Sequence, residues 1–448
     1  MKNKKFISCF LAICFFSFLF VFSGCTKKTD SYELTLEVWG VFDDSDSFKD
    51  INKNFINKTL KVKDVKYKKI SSNANEYEKE LIDAIASGKA PDVVFFKNTW
   101  LPKHKEKFAP LPDSDTYLIK KKNEFVDVFY QDFVEEDRES RKVYAMPLYC
   151  DTLALYYNKD MFNQAGIAYP PKTWDEVKDH TKKLTRIDNF GNITQSAIAL
   201  GRSKDPGAIN RSTDILALMM MQNGTAMNTD KIVTFNKSLY GDVNPGLSSL
   251  KFYAQFAQGD SDVYTWNTKM DYSIDSFRYR RVAMMINYSH MYDRLKKMDP
   301  KLNFDIAPVP QVNLDRNVNH ASYWGLAVTK NKQPTSRKYG NDDRIKEAWK
   351  YVKYATNKPS RKGFDPGKSY LDITNKVAAR KDLLEEQRNE NFRGVFAEQA
   401  FTAKSWRQPD DTAVEDIMAN MINDTVSGNL SANQALETAV SRINVLWK

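Results

Sequence analysis

The sequence predicts an α/β fold of the doubly wound kind, on three observations. Residues 34–96 read as strand, helix, strand, helix, strand; similar units recur through the middle of the chain; and two amphipathic helices close it. Strands that alternate with helical patterns argue for a largely parallel sheet with helices on its faces. The chain has 448 residues, enough for about two to three domains with sizeable cores.

Each element has its own signal. Residues 34–39 alternate apolar and polar and read as a strand. A polar-rich helix over 43–57 places Phe48, Ile51 and Phe55 on one face, and 62–70 read as the second strand. Asn75 with Glu78 has the spacing of a capping box. Tyr77, Leu81, Ala84 and Ile85 then share a helical face, and Gly88 supplies the stop. Val93-Val94-Phe95-Phe96 is a continuous apolar run suited to a buried parallel strand. Further strands are predicted at 144–147, 153–157, 197–200, 282–286, 305–307 and 326–328. Further helices follow the Thr173 and Glu176 cap and cover 214–222, 247–256 and 344–355. The Met residues of 214–222 read as core packing. Val414, Ile417, Met418 and Met421 face inward on the first closing helix, with Gly428 as its stop. Ser431 and Gln434 cap the second.

The N-terminus carries an address. Lys2, Lys4 and Lys5 precede an uncharged apolar run over 6–22, which leads to Ser23-Gly24-Cys25 and a polar stretch. That order is the order of an export signal ending in small residues; an uncleaved anchor is the alternative. The stretch 22–25 resembles the lipobox of bacterial lipoproteins, with Phe22 where leucine is usual. The resemblance implies removal of residues 1–24, lipidation of Cys25 and a linker over 25–31. With Cys9 and Cys14 gone and Cys25 lipidated, Cys150 is left without a disulfide partner and reads as a buried, inert thiol. The formal charge is +10, but acids interleave most of the basic residues. Neither a basic stripe nor a known nucleic-acid module stands out, so no nucleic-acid partner is expected.

From about residue 31 onward the chain resembles the bacterial family 1 extracellular solute-binding proteins, whose best-known relatives bind maltose and other sugars. Residues 75–96 and 108–111 are the first landmarks. The block 143–177 is the most specific, with Tyr157-Asn158-Lys159-Asp160, Ala165-Gly166-Ile167 and Pro171-Lys172-Thr173-Trp174-Asp175-Glu176. The segments 264–267, 282–287, 305–310 and 378–383 follow in order. The resemblance implies two doubly wound lobes joined by a hinge, like a type II periplasmic binding protein: 32–151 with 325–371 as lobe one, 152–324 with 372–448 as lobe two. It also implies hinge closure over a solute, permease subunits of an ABC importer as partners, attachment to the outer face of the membrane through the lipid, and no cofactor. Two departures lie near the expected cleft: Arg280-Arg281 replaces a usual glycine, and Tyr323-Trp324-Gly325 stands where paired glycines are usual.

A neutral sugar needs flat rings over its C–H faces and carboxylates or amides at its hydroxyls. Asp43 and Asp44 follow the first strand and are candidate acceptors, or alternatively caps of the next helix. Asp151 opens the crossover into lobe two, at a position similar to one the family uses for ligand contact; its other reading is a hinge-stabilising carboxylate. Trp39, Trp100, Tyr288, Tyr323, Trp324 and Trp406 are the candidate rings. His290 falls where sugar binders of this family often carry tryptophan. Trp174 and Trp266 match packing positions.

No catalytic motif emerges. The four histidines form no metalloprotease pattern, and there is no nucleophile elbow. Residues 363–369 resemble a phosphate-binding loop but have three residues between the glycines instead of four, so they read as a loop. The reading is therefore a binding protein for a small solute, a carbohydrate first. The alternatives are a non-sugar ligand or a sensor and, last, a secreted carbohydrate-cleaving enzyme.

Overall fold

The computed structural model describes residues 33–447 apart from 122, 137–139, 239, 240, 242, 333–335 and 337. The expected export segment over residues 1–24 and the expected lipid site Cys25 lie outside the described residues. Among the described residues no helix is long and apolar enough to cross a membrane.

The chain begins as predicted: β1 (Leu34–Val41), α1 (Asp46–Ile56), β2 (Val62–Ser71), α2 (Ala74–Ala86) and β3 (Val93–Lys97). β1 pairs in parallel with both β2 and β3. Leu34, Leu36 and Val38 are buried on one face of β1, and all four apolar residues of β3 are buried. The cap of α2 is Asn73, not Asn75: its side chain accepts from the Asn75 and Glu76 amides. Glu78 is therefore free of the capping role, and its carboxylate accepts from Lys103 Nζ at 2.7 Å and lies 2.7 Å from His104 Nε2. Gly88 ends the segment with a positive φ of 71°.

Beyond β4 (Phe108–Ala109) and β5 (Ala145–Pro147), the short β6 (Asp151–Thr152) carries the chain out of lobe one and β7 (Ala154–Asn158) enters lobe two. Lobe two continues through α3 (Trp174–Leu184), β8 (Arg186–Ile187), β9 (Ile193–Ile198), α4 (Ser212–Gln222), α5 (Pro245–Ala254), β10 (Val282–Asn287), α6 (His290–Met298) and β11 (Phe304–Ala307). β12 (Asn319–Ser322) returns antiparallel to β6, and β13 (Trp324–Thr329) re-enters lobe one. Then come α7 (Asn341–Thr356), α8 (Pro366–Thr374), α9 (Lys381–Gln387), α10 (Asn391–Ala400), β14 (Ala403–Lys404), α11 (Asp411–Ser427) and α12 (Ala432–Val445).

The lobe-one sheet runs β2-β1-β3-β13-β4, with β5 also on β13. Here the sheet departs from an all-parallel one: β13 is antiparallel to β3, β4 and β5. It arrives from the other lobe at the cleft end of the sheet, so it must run backwards. Gly325 is required at this insertion, because a Cβ there would sit 2.5 Å from the Met146 carbonyl oxygen. The lobe-two sheet runs β8-β9-β10-β7-β11, with β9 and β10 parallel and the other pairs antiparallel. A β14-β12-β6 sheet joins the lobes.

One apolar cluster is centred on lobe one and another on lobe two. The Met219-Met220-Met221 stretch of α4 is core packing. Ser431 and Gln434 form both halves of a capping box, and Gly428 ends α11. Residues 363–369 are only partly a loop: Pro366 opens α8, and Asp365 caps it by accepting from the Lys368 amide at 3.1 Å. Past residue 371 the chain stays on lobe one, through Cys150 N to Val377 O at 3.0 Å and Val126 N to Ala379 O at 2.9 Å.

Candidate functional site

The loops after β3 and β10, the crossover strands and the first turns of α4 and α11 converge between the lobes. On one flank they enclose a small polar pocket of about 50 Å³, whose wall includes Lys97, Thr99, Arg211, Asp214, Trp406 and Glu415. Lys97 ends β3 in lobe one and reaches Asp411 Oδ2, at the start of α11 in lobe two, at 2.5 Å. Thr99 Oγ1 donates to the same oxygen at 3.0 Å. Burial opposes charge on Asp411, but Lys97 and Thr99 outweigh it and hold the carboxyl below its usual range. Beside this contact Lys103 bridges Glu78 and Asp410, at 2.7 and 2.8 Å.

Arg211 stands just before α4 with a left-handed φ of 63°. Its guanidinium lies over the Tyr288 ring at 5.3 Å and 4.0 Å from Asp214, and its Nε has no hydrogen-bond partner. Tyr288 Oη donates to Asp214 Oδ2 at 2.9 Å and lies 3.0 Å from His320 Nδ1. Burial pushes His320 down, keeping the imidazole neutral. Since the tyrosine proton goes to Asp214, Nδ1 carries the hydrogen that reaches the tyrosine oxygen. Glu415 keeps solvent contact, yet its place in the cleft raises its pKa, through burial first and Asp214 next. The pocket thus offers donors (Lys97, Arg211) against acceptors (Asp214, Glu415).

The other flank is built around Asp43. Its carboxylate accepts from Lys376 Nζ at 2.6 and 2.5 Å and from Tyr370 Oη at 2.7 Å. Burial lowers the Lys376 pKa, with Asp43 and Asp151 opposing. Asp151 accepts from the Ser289 amide at 3.0 Å and hydroxyl at 2.9 Å, tying the crossover to the first turn of α6. His290 Nδ1 lies 3.8 Å from it.

The predicted rings and acids divide accordingly. Asp43, Asp151, Tyr288, His290 and Trp406 come to the cleft, but Tyr288 and Trp406 belong to the lobe-two core and are 2% exposed, as little as Trp100. Trp324 is nearly buried, with the exposed Phe42 edge-on at 5.7 Å. Trp100 sits deeper than expected: it stacks on Tyr77 at 6.0 Å and meets Trp324 edge-on at 5.0 Å, in the lobe-one core. Tyr323 is fully buried there and donates to Val128 O at 3.2 Å. Trp39 is half-buried beside Lys68, and Asp44 is exposed, 3.1 Å from Lys69. Neither aspartate acts as a side-chain cap of α1. Cys150 is buried, and burial raises its thiol far from reactivity. Trp174 and Trp266 pack in the interior with their indole N–H groups bonded to Gln222 and Gly207.

Sequence reasoning missed Lys97, Arg211, Asp214, His320, Asp411 and Glu415. Lys97 had a signal, as the charged residue that ends a buried strand; His320 lies on a crossover strand, and the others look like ordinary charges near helix starts. Among the described residues no group of His, Cys, Asp and Glu is arranged to hold a metal ion.

The profile of the family described as bacterial extracellular solute-binding protein matches residues 45–362. A binding protein of Brucella abortus is 23% identical over 378 residues, 82% of each chain. The maltodextrin-binding protein MdxE of Bacillus subtilis is 26% identical over 313 residues, 67% of this chain and 66% of its own. The solved structure of the sugar-binding protein MalE from Xanthomonas citri superposes with a TM-score of 0.69 at 17% identity, covering 92% of this chain and 97% of that one.

Proposed function

Because the chain belongs to the bacterial extracellular solute-binding proteins, we propose that it captures a neutral carbohydrate between its lobes and delivers it, unaltered, to an ABC importer in the membrane to which Cys25 anchors it. The observation that carries this reading is the interlobe pocket, in which Lys97 and Arg211 face Asp214 and Glu415 beside Trp406. A hydroxyl both donates and accepts, so a polyol satisfies such a mixed wall without adding charge. An aromatic plate completes the recognition of a sugar ring. MdxE and MalE, named for maltodextrin and sugar binding, support the same class.

The contacts between β3 and α11 close the mouth at Lys97, Thr99 and Asp411. Ligand that bridges Lys97 of lobe one to Arg211 or Glu415 of lobe two adds to these contacts only when the lobes are together, and so favours closure. A thermal-shift screen over maltodextrins, other neutral oligosaccharides, polyols, amino acids and polyamines tests the reading. A rise in melting temperature with a neutral sugar is expected; a rise with amino acids or polyamines alone overturns it. Release of reducing ends from an oligosaccharide by the purified protein would overturn the non-catalytic part.

A further inference from the structure

Far from the cleft, lobe one carries a second cavity of about 520 Å³ whose wall holds Lys58, Lys353, Lys358, Arg361 and Lys362. The placement follows from two helices. α1 starts beside Asp43 at the cleft and ends at Ile56, two residues before Lys58; α8 starts at Pro366 in the cavity wall and carries Tyr370, and Lys376 just past its end, beside Asp43. The cavity therefore occupies the opposite end of the lobe.

Its charge is poorly compensated. Lys358 pairs with Asp382 at 3.3 Å, whereas Lys58, Lys353, Arg361 and Lys362 form no ion pair with a described carboxylate. The other acids nearby are engaged: Glu124 takes Lys121 Nζ and the Lys358 amide, and Glu347 takes Lys350. Asp113 faces Lys353 without pairing to it, and burial with Lys350 pushes the Lys353 ammonium down. Lys58 Nζ lies over the Tyr354 ring at 4.8 Å, and the buried Tyr354 hydroxyl has no hydrogen-bond partner. Crowded cations beside an unused donor are what a phosphate group satisfies.

The entry of the chain identifies the source of that phosphate. The Leu34 amide donates to Lys61 O at 2.7 Å, three positions from Lys58. The eight Cα-to-Cα steps from Cys25 to residue 33 span at most about 28 Å when extended. A lipid at Cys25 thus holds this end of lobe one close to the membrane, within a few screening lengths of its surface. We propose that the Lys58–Arg361 cavity is a seat for anionic phospholipid headgroups, a second membrane contact beside the lipid at Cys25. The proposal rests on the anchored reading above.

The test uses the mature chain from Cys25 with Cys25→Ser, so that no acyl chain masks the effect, sedimented with vesicles of phosphatidylcholine alone or mixed with phosphatidylglycerol. Retention on the mixed vesicles is expected to exceed that on phosphatidylcholine by about ten-fold at low salt and to fall steeply as salt is raised. The exposed pair Arg361→Glu/Lys362→Glu should abolish most of it, while the thermal shift with sugar stays unchanged. Equal retention on both vesicles, or full retention by the charge-reversed pair, overturns the proposal. So does a melting-temperature rise with inorganic phosphate unaccompanied by vesicle binding, which marks a soluble-anion site. A missing sugar response or an unlipidated native protein would instead strike the anchored carbohydrate-receptor reading, and each is measured separately from vesicle retention.

Discussion

Two ion pairs flank the cleft and differ in what they join. Lys376 and Asp43 are both largely buried and both belong to the lobe-one side, with Tyr370 adding a third hydrogen bond. Lys97 and Asp411 come from different lobes, and the lysine keeps about a quarter of its side chain exposed. The first pair exists whether or not the lobes move; the second exists only when they meet. A pair of the first kind is fixed in place, because removing one partner strands a buried charge. In a pair of the second kind the carboxylate is as buried as Asp43 while the lobes are together, and water replaces its partner when they part. The same chemistry thus serves as scaffold on one flank and as a contact of closure on the other.

Mutations can sharpen this contrast, and the largest effect is expected on the buried side. Lys376→Ala leaves Asp43 uncompensated and should destabilise the protein by about 3 kcal/mol in urea unfolding; a loss well under 1 kcal/mol would place that pair with the exposed ones. Next is Asp132, buried in lobe one, which accepts from Asn98 at 3.1 Å and from Ser405 of the segment leading to α11. Burial raises its pKa from 3.8 to about 6. The folded state therefore holds the proton more tightly than the unfolded chain. Asp132 should contribute stability below pH 4 that is lost as pH rises through 6. Asp132→Asn should remove this slope and gain roughly 2 kcal/mol at pH 8 but little at pH 4, as read by denaturation at both pH values. Asp411→Asn should leave unfolding nearly unchanged while weakening the closed form by about 1 kcal/mol; scattering would report a larger radius of gyration without sugar and a sugar affinity reduced about five-fold. The smallest effect belongs to the exposed Asp44: Asp44→Ala should shift stability by no more than about 0.5 kcal/mol.

Much of the fold was legible because its signals are local. The alternation of β1, the apolar run of β3 and the stop at Gly88 depend on neighbours in sequence. The α2 cap was misplaced for the opposite reason. Glu78 has the spacing of a capping partner for Asn75 but is claimed by His104 and Lys103, more than twenty residues away. The start of α8 was overlooked although Asp365-Pro366 is a sound cap and first-turn pair. The antiparallel entry of β13 has no local signal at all, since direction within a sheet is set by where the chain comes from. The cleft was legible in part. Strand ends pointed to Asp43 and Asp151 and the family resemblance to His290, and these three lie at the cleft; Tyr288 and Trp406 lie there too but with their rings in the lobe-two core. Arg211, Asp411 and Glu415 stayed hidden because the charge of a helix end acquires a role only from the lobe opposite. Trp100 and Tyr323 were assigned to the ligand by position, yet both rings turn into the lobe-one core.

The insertion of β13 between β3 and β4 also governs the order in which the molecule can be assembled. Asn98 and Tyr323, which bond across that seam, are 225 positions apart. During synthesis the first three strands lack their fourth neighbour until the lobe-two sheet and both crossovers have been made, and long-range pairing of this kind is slow. The N-terminal half therefore stays short of its final pairing through most of that interval, and locks only when this late strand slides in beside β3.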